Sequence, residues 1–372
     1  MKRSRMEILS DDGMDRLSDL PDYLVLYIME FMEVKHAVWT CLLSKRWEHL
    51  WKRLATLALD SRSSSFLSST LGSFNKFVSR ILSCRDRSIP LHSLYYRRTG
   101  HTRITLLNRT IKYAVSHHVH NLNLCAQFEL ARTLELPSCL FSCPSLTSLR
   151  LSFYYLNLTR DKAMFPKSLH LPLLKSLHIG GFTFTTSDNG CVDPFSTLKK
   201  LNTLVIKCCY LNDDAKVKFL CITNSELSSL TLSNLDLDYT EDYAVVLCTP
   251  KLSSLTAQGR SINQLSSSCN LPFLRQGHFD VNIHGDLPKK GLVLISWMQM
   301  LTNVTMMTLR WSTINLLIAT RPQLPCFVRL KSLKVKMDTS AKLSDDLASS
   351  IVEDLLQNSP LARVDIIRAL SP

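Results

Sequence analysis

The chain contains little glycine, only ten of its 372 residues. None of these glycines has the spacing of a phosphate-binding loop or a dinucleotide fingerprint. The G-x-S-x-G pattern of hydrolases and the H-E-x-x-H pattern of zinc proteases are also absent. No motif therefore predicts catalysis, and we expect a protein without enzymatic activity that needs no cofactor.

Long uninterrupted apolar runs are also absent. A membrane-spanning helix needs roughly 18 or more apolar residues, and the best candidate, residues 292–301, is interrupted by Ser296 and Gln299. The basic residues near the amino terminus are not followed by the apolar segment of a secretion signal. We therefore expect a cytoplasmic and/or nuclear protein with no membrane partner.

Cysteine and histidine are present but are not arranged as a metal site. The twelve cysteines are scattered along a chain without an export signal, which favours free thiols over a disulfide framework. His117, His118 and His120 form the densest histidine cluster, but a metal site would need further ligands. The simpler interpretation is a helix end that continues into a strand, so we predict no metal site.

The amino-terminal region, residues 15–60, has more apolar positions than it can bury alone. A helix is predicted over residues 21–33, with apolar side chains on both sides. A second helix is predicted over residues 35–43, and Ser44 suits the N-cap of a third. In this third helix, apolar residues recur at i, i+3, i+4 and i+7: Trp47, Leu50, Trp51 and Leu54. A unit of about 40 residues needs additional stabilisation, most simply a partner protein.

This region resembles an F-box at the following residues: Leu20-Pro21, Leu24, Ile28, Phe31, Ala37-Val38, Leu43 to Trp47, and Leu50-Trp51. The resemblance implies docking onto a Skp-type adaptor, which links the chain to a cullin. It places six residues at or beside the adaptor interface: Leu20, Pro21, Leu24, Ile28, Ser44 and Trp47. The alternative is a small helical bundle that packs only on its own downstream domain.

The rest of the chain is dominated by a repeat, apolar-x-x-apolar-x-apolar, at an average spacing of 27 residues. Its eleven copies begin at Leu91, Val119, Leu146, Leu174, Leu201, Leu227, Leu252, Leu274, Val304, Leu330 and Leu361, and a weaker copy begins at Leu54. This spacing lies within the range of about 20 to 29 residues that is typical of leucine-rich repeats. The region resembles a plant-type leucine-rich-repeat solenoid, which implies a parallel sheet on a concave face.

These patterns predict an α/β protein with a small three-helix F-box followed by the solenoid. We predict a disordered basic terminus over residues 1–14, the F-box over 15–60, a serine-rich linker over 61–73 and the solenoid over 74–372. A helix that starts near Phe74 would close the first end of the solenoid, and a helix around Ile351 would belong to its cap. The last segment resembles the start of an FBD region, which we expect to be truncated or absent because Pro372 follows so soon.

The residues that flank the strand anchors define a candidate binding surface. Basic residues outnumber acidic ones there, and the chain has a net charge of +13. We hypothesise that this face binds an acidic or phosphorylated segment of a target protein. The candidate residues are Arg150, His178, Lys207, His278, Arg310, Lys334 and Lys336. The alternative is a solvated surface of a basic protein, and few aromatic residues support nucleic-acid binding.

Together these expectations predict the substrate-recognition subunit of a Skp-cullin-F-box ubiquitin ligase. Its mechanism would be proximity, because the chain would hold a target close to a transferring enzyme. The alternative function is a non-catalytic leucine-rich-repeat scaffold for phosphorylated, acidic or nucleic-acid ligands, without a role in ubiquitination.

Overall fold

A computed structural model describes most of the chain. The described residues are 19–62, 71–128, 134–155, 163–185, 190–211, 219–234, 243–260, 262–282, 287–318, 323–337, 345–357, 359 and 362–368. The predicted disordered terminus, residues 1–14, and residues 63–70 of the predicted linker lie outside these ranges. At the described ends of the linker, the backbone N–H of Ser61 donates to the carbonyl oxygen of Arg97, and a helix begins at Leu71.

The amino-terminal unit contains two α-helices, α1 (Asp22–Glu30) and α2 (Val34–Trp39). Pro21 precedes α1, and Asp22 places a carboxylate at its positive end. Three short 3-10 segments follow: Thr40–Leu42, Lys45–Glu48 and Leu50–Arg53. The prediction of one third α-helix was therefore wrong in detail, because the chain breaks at His49, where φ is −113° and ψ is −8°. The apolar side chains of this segment are nevertheless buried, as the spacing predicts.

Five further α-helices lie in the described part of the chain: α3 (Leu71–Cys84), α4 (Ile104–Ser116), α5 (Leu287–Gln299), α6 (Trp311–Ile318) and α7 (Asp345–Leu356). Helix α3 buries Phe74, Val78 and Ile81, the stripe predicted to close the first end of the repeat region. Helix α4 ends at Ser116 just before a strand begins at Asn121. The histidine cluster therefore lies at a junction between a helix and a strand, as the simpler interpretation predicts.

Nineteen strands are described within these ranges. They are β1 (Thr56–Asp60), β2 (Ser93–His101), β3 (Asn121–Phe128), β4 (Ser148–Tyr155), β5 (Ala163–Phe165), β6 (Ser176–Gly180), β7 (Phe182–Phe184), β8 (Cys191–Val192), β9 (Thr203–Lys207), β10 (Tyr210–Leu211), β11 (Phe219–Thr223), β12 (Ser229–Asn234), β13 (Ala244–Cys248), β14 (Ser254–Gly259), β15 (Gln264–Ser267), β16 (Gln276–Val281), β17 (Met306–Arg310), β18 (Ser332–Met337) and β19 (Arg363–Arg368).

Twelve of these strands form one parallel sheet, in the order β1-β2-β3-β4-β6-β9-β12-β14-β16-β17-β18-β19. Each predicted copy of the repeat, including the weak one at Leu54, supplies one strand. The second anchors of successive copies are paired across the sheet: Leu57, Leu94, Leu122, Leu149, Leu177, Leu204, Leu230, Leu255, Gly277, Met307, Leu333 and Val364. The repeat read from the sequence therefore sets the register of the sheet.

Two smaller parallel sheets, β10-β7-β5 and β15-β13-β11-β8, are formed by segments between the main strands. Aromatic side chains link the main sheet to the first of them. The ring of Phe153 on β4 lies 5.3 Å from that of Phe182 on β7, which lies 5.3 Å from that of Phe165 on β5. These contacts continue a core built from the buried anchor residues. In the part of the chain that the structure describes, no helix has the length and apolar character needed to cross a lipid bilayer.

The amino-terminal unit is joined to the sheet by β1 and by the buried side chain of Arg85. The guanidinium of Arg85 donates to the carbonyl oxygens of Leu54, Ile89 and Pro90, each at 2.9 Å. Leu54 ends the amino-terminal unit, whereas Ile89 and Pro90 precede β2. Arg85 is only 2% exposed; its hydrogen bond to Leu54 is buried, whereas those to Ile89 and Pro90 are part-buried.

Candidate functional site

The amino-terminal unit exposes an unusual amount of apolar surface. Six large apolar side chains are between 52% and 83% exposed: Tyr23, Tyr27, Phe31, Trp39, Leu42 and Leu43. We call these six residues the exposed apolar surface. Single exposed apolar residues are normal, but a concentration of this kind within 21 residues is typical of an interaction site.

The position of α1 explains which of its side chains are exposed. Val25 and Met29 are fully buried, and Tyr23 and Tyr27 lie roughly opposite them at 100° per residue. Tyr27 packs edge-on against Phe31, with ring centroids 5.0 Å apart. The aromatic residues Tyr23, Tyr27 and Phe31 therefore form a continuous stripe on the side that faces solvent.

The six predicted adaptor-contact residues have different environments. Pro21 is exposed, and Leu20, Leu24 and Ile28 are half-buried beside the aromatic stripe. Trp47 is only 6% exposed and belongs to the core of the unit.

Ser44 is half-buried and caps the 3-10 segment that follows it. Its hydroxyl oxygen accepts a hydrogen bond from the backbone N–H of Arg46 at 3.3 Å. The guanidinium of Arg46 reaches back to the carboxylate of Asp22 at 2.7 Å, which ties this segment to the start of α1. Ser44 and Arg46 therefore hold the helices together.

Sequence reasoning recognised Tyr23, Tyr27 and Phe31 as apolar helix positions but did not select them as contact residues. It also did not select Trp39, Leu42 or Leu43. The available signal was the run of apolar residues on both sides of the first helix. Which side would be buried depends on the packing of α1 against α2 and the 3-10 segments, and the periodicity of one helix does not contain that information.

The predicted target-binding residues lie on the polar face of the twelve-stranded sheet, between the second and third anchors of a repeat or directly after the third. Arg150 on β4 and His178 on β6 are register partners, and the Arg150 guanidinium donates to Nδ1 of His178 at 2.8 Å. Burial, together with the nearby charges of Arg150 and Lys207, lowers the pKa of His178 to about 4. His178 is therefore neutral at physiological pH and accepts this hydrogen bond.

The other predicted residues lie on the last strands of the sheet. The Arg310 guanidinium forms an ion pair with the Asp280 carboxylate at 2.7 Å. Burial, aided by the charge of Lys336, lowers the pKa of His278, while Asp280 opposes this shift. Lys334 is the register partner of Asp365 on β19. The seven predicted residues thus form two groups. The group on β16 to β18 lies beside the carboxylates of Asp280 and Asp365, whereas the strands of the other group, β4, β6 and β9, contain no acidic residue.

The sequence held a signal for this division. Asp280 and Arg310 each follow the third anchor of their repeat, so neighbouring copies place them side by side.

Within the described ranges, no three His, Cys, Asp or Glu side chains lie close enough together to hold a metal ion.

Comparison with known proteins identifies the amino-terminal unit. Residues 17–58 match the family model of the F-box domain. This range includes α1, α2, the 3-10 segments and the whole exposed apolar surface. The chain therefore carries an F-box, and at the level of this family such proteins are generally non-catalytic substrate adaptors of ubiquitin ligases.

Relatives from Arabidopsis thaliana extend the similarity beyond the F-box. An FBD-associated F-box protein is 29% identical over 78% of this chain and 66% of its own length. An F-box/FBD/LRR-repeat protein is 27% identical over 65% of the chain and 52% of its own length. Another FBD-associated F-box protein is 28% identical over 94% of the chain and 82% of its own length. The chain thus spans less than two thirds of the length of the first two relatives.

The resemblance predicted from the sequence is confirmed by these findings. The chain is similar to plant proteins whose names combine an F-box with leucine-rich repeats, and it is F-box/LRR-like in this sense.

Proposed function

We propose that this chain is the target-recognition subunit of a Skp-cullin-F-box ubiquitin ligase. In this proposal the F-box docks on a Skp-type adaptor, and the adaptor connects it to a cullin. The observation that carries the proposal is the exposed apolar surface within the residues that match the F-box model. A partner that covers this surface would remove several large aromatic and aliphatic side chains from water, which is the dominant favourable term in association.

The proposal also assigns a role to the twelve-stranded sheet. We infer that it is a leucine-rich-repeat solenoid whose polar face holds a protein target, acidic or phosphorylated in the contacted segment. Support comes from the in-register repeat and from the basic residues on that face. The chain would act by raising the local concentration of the target near the transferring enzyme, without supplying a catalytic group of its own.

Charge placed on the exposed apolar surface should remove adaptor binding. We expect Tyr27→Asp and Phe31→Asp each to reduce recovery of a purified Skp-type adaptor at least about tenfold, because a buried carboxylate without a partner is strongly unfavourable at an interface. Co-purification with the adaptor measures the effect. These variants are cleaner probes than Trp47→Ala, which would open a cavity in the F-box core.

Val328→Asp is the matched control, because Val328 is 65% exposed and lies outside the F-box. It should leave adaptor recovery unchanged. Full recovery by both F-box variants would contradict the proposed interface. A chain that binds targets but no adaptor even as wild type would instead support the scaffold function.

A further inference from the structure

Acidic residues are absent from a large part of the main sheet. Seven neighbouring strands, β2, β3, β4, β6, β9, β12 and β14, contain no Asp or Glu. Their polar face nevertheless carries the basic residues Arg97, Arg150 and Lys207. Arg97 is the register partner of Asp60 on β1, whereas no register partner of Arg150 or Lys207 is acidic. Salt screens the effect of acidic residues that lie far away on the protein. Basic residues without an acidic neighbour on this face therefore attract anions from solution.

The last strands of the same sheet are electrostatically different. Asp280 forms an ion pair with Arg310, and Asp365 lies beside Lys334 in the register of β18 and β19. These carboxylates offset the positive charge of their neighbours. A ligand anion would have to compete with them, so this end of the sheet is the weaker candidate for an anion site.

Arg150, His178 and Lys207 form the stronger candidate, which we call the basic cluster. They lie on three adjacent strands, β4, β6 and β9. Arg150 and Lys207 are exposed, while His178 is half-buried and fixed by its hydrogen bond from Arg150. His178 therefore helps to position the guanidinium and adds no positive charge of its own.

The register leaves no side chain between Ser152 and Lys207 in this cluster, although the backbone of Gly180 between them is buried by its neighbours. Gly180 on β6 pairs with Ser152 on β4 and with Lys207 on β9. No side chain therefore projects from β6 between Ser152 and Lys207. The hydroxyl of Ser152, the ammonium of Lys207 and the guanidinium of Arg150, two residues before Ser152 on β4, therefore belong to the same face of three adjacent strands.

We propose that the basic cluster binds a phosphate monoester carried by a phosphorylated segment of the target protein. This inference rests on the proposed function and specifies its ligand. A phosphoserine or phosphothreonine carries a charge of about −1.5 to −2 and three acceptor oxygens, which matches two permanent cations and a hydroxyl. A single carboxylate would leave one of the two cations uncompensated.

The test uses purified full-length chain and a degenerate phosphoserine peptide library, with the unphosphorylated library as comparison. We expect the wild-type chain to prefer the phosphorylated library. Arg150→Ala and Lys207→Ala should each weaken binding at least about tenfold, because each removes a charge-assisted bond. Both side chains are exposed, so circular dichroism spectra and adaptor recovery should stay unchanged.

Arg329→Ala combined with Lys331→Ala is the matched control, since it removes two exposed positive charges from residues that do not belong to the candidate binding surface. This control should keep phosphopeptide binding. Equal losses in the control and the cluster variants, or no preference of the wild-type chain for the phosphorylated library, would overturn the inference. Tighter binding of mixed-sequence single-stranded RNA than of phosphopeptide at 150 mM salt, about physiological ionic strength, would also overturn it. In each case adaptor recovery still tests the proposed function separately.

Discussion

Replacement of Gly181 with alanine is expected to lower the free energy of unfolding by about 4 kcal/mol or more. Gly181 turns the chain between β6 and β7 with φ of 77°, a left-handed conformation that costs other residues about 1–2 kcal/mol. The added Cβ would also lie 2.1 Å from the carbonyl oxygen of Phe153. That oxygen belongs to the backbone of β4, which cannot move without disturbing its neighbours in the sheet. Urea unfolding followed by circular dichroism measures the loss.

Two other glycines separate the causes of this effect. Gly100 has φ of 81°, but no atom lies within 4 Å of the place that an alanine Cβ would take, so Gly100→Ala should cost only the conformational term of about 1–2 kcal/mol. Gly180 has ordinary contacts, the nearest at 3.5 Å, so Gly180→Ala should be nearly neutral. A loss for Gly181→Ala no larger than that for Gly100→Ala would show that the contact with Phe153 is relieved at little cost.

The main sheet could be predicted from the sequence because its determinant is local and repeated. Most strands bury two anchors on either side of a less buried residue, as at Leu122 and Leu124 on β3. The smaller sheets were not predicted. Their strands are as short as two residues, as at Cys191–Val192 and Tyr210–Leu211, and such segments are too brief to show a periodicity.

The third F-box helix shows a different limit of sequence reasoning. Trp47, Leu50 and Trp51 have the spacing of an α-helix, yet they lie on two 3-10 segments. Burial of these side chains is compatible with one α-helix or with two shorter segments, because it records which side chains face the core and not which backbone hydrogen bonds connect them. Packing against α1 and α2 decides between them, and those contacts join residues far apart in the sequence.

The candidate binding surface was predicted as one basic face, but the structure divides it. Strand register brings Asp280 to Arg310 and Arg150 to His178, in each case across about one repeat. Composition along the chain shows the excess of positive charge but not which charges are neutralised. The choice of the basic cluster over the last strands therefore depends on pairings that only the sheet supplies.

Arg85→Met is expected to lower the free energy of unfolding by about 2–3 kcal/mol, because the buried carbonyl oxygen of Leu54 would lose its donor at a cost of about 1–3 kcal/mol. The part-buried carbonyl oxygens of Ile89 and Pro90 would add less, since water can partly replace their donor. Methionine fills much of the same volume, so the loss reports the hydrogen bonds more than a cavity. Arg85→Lys should recover only part of the stability, since one ammonium cannot reproduce the planar fork of donors. Arg87→Met is the matched control: Arg87 is exposed two residues further on, and its loss should stay within about 0.5 kcal/mol.

Arg85→Met should destabilise mainly the junction between the F-box and the sheet. Arg85 connects the carbonyl of Leu54 at the end of the F-box to those of Ile89 and Pro90 before β2. In a stacked sheet each strand contacts mainly its neighbours. Hydrogen exchange in Arg85→Met should therefore become faster in β1 and β2 while β9 and β12 keep their protection. Equal loss of protection along the whole sheet would contradict this local role and would mean that Arg85 stabilises the repeat region as one cooperative unit.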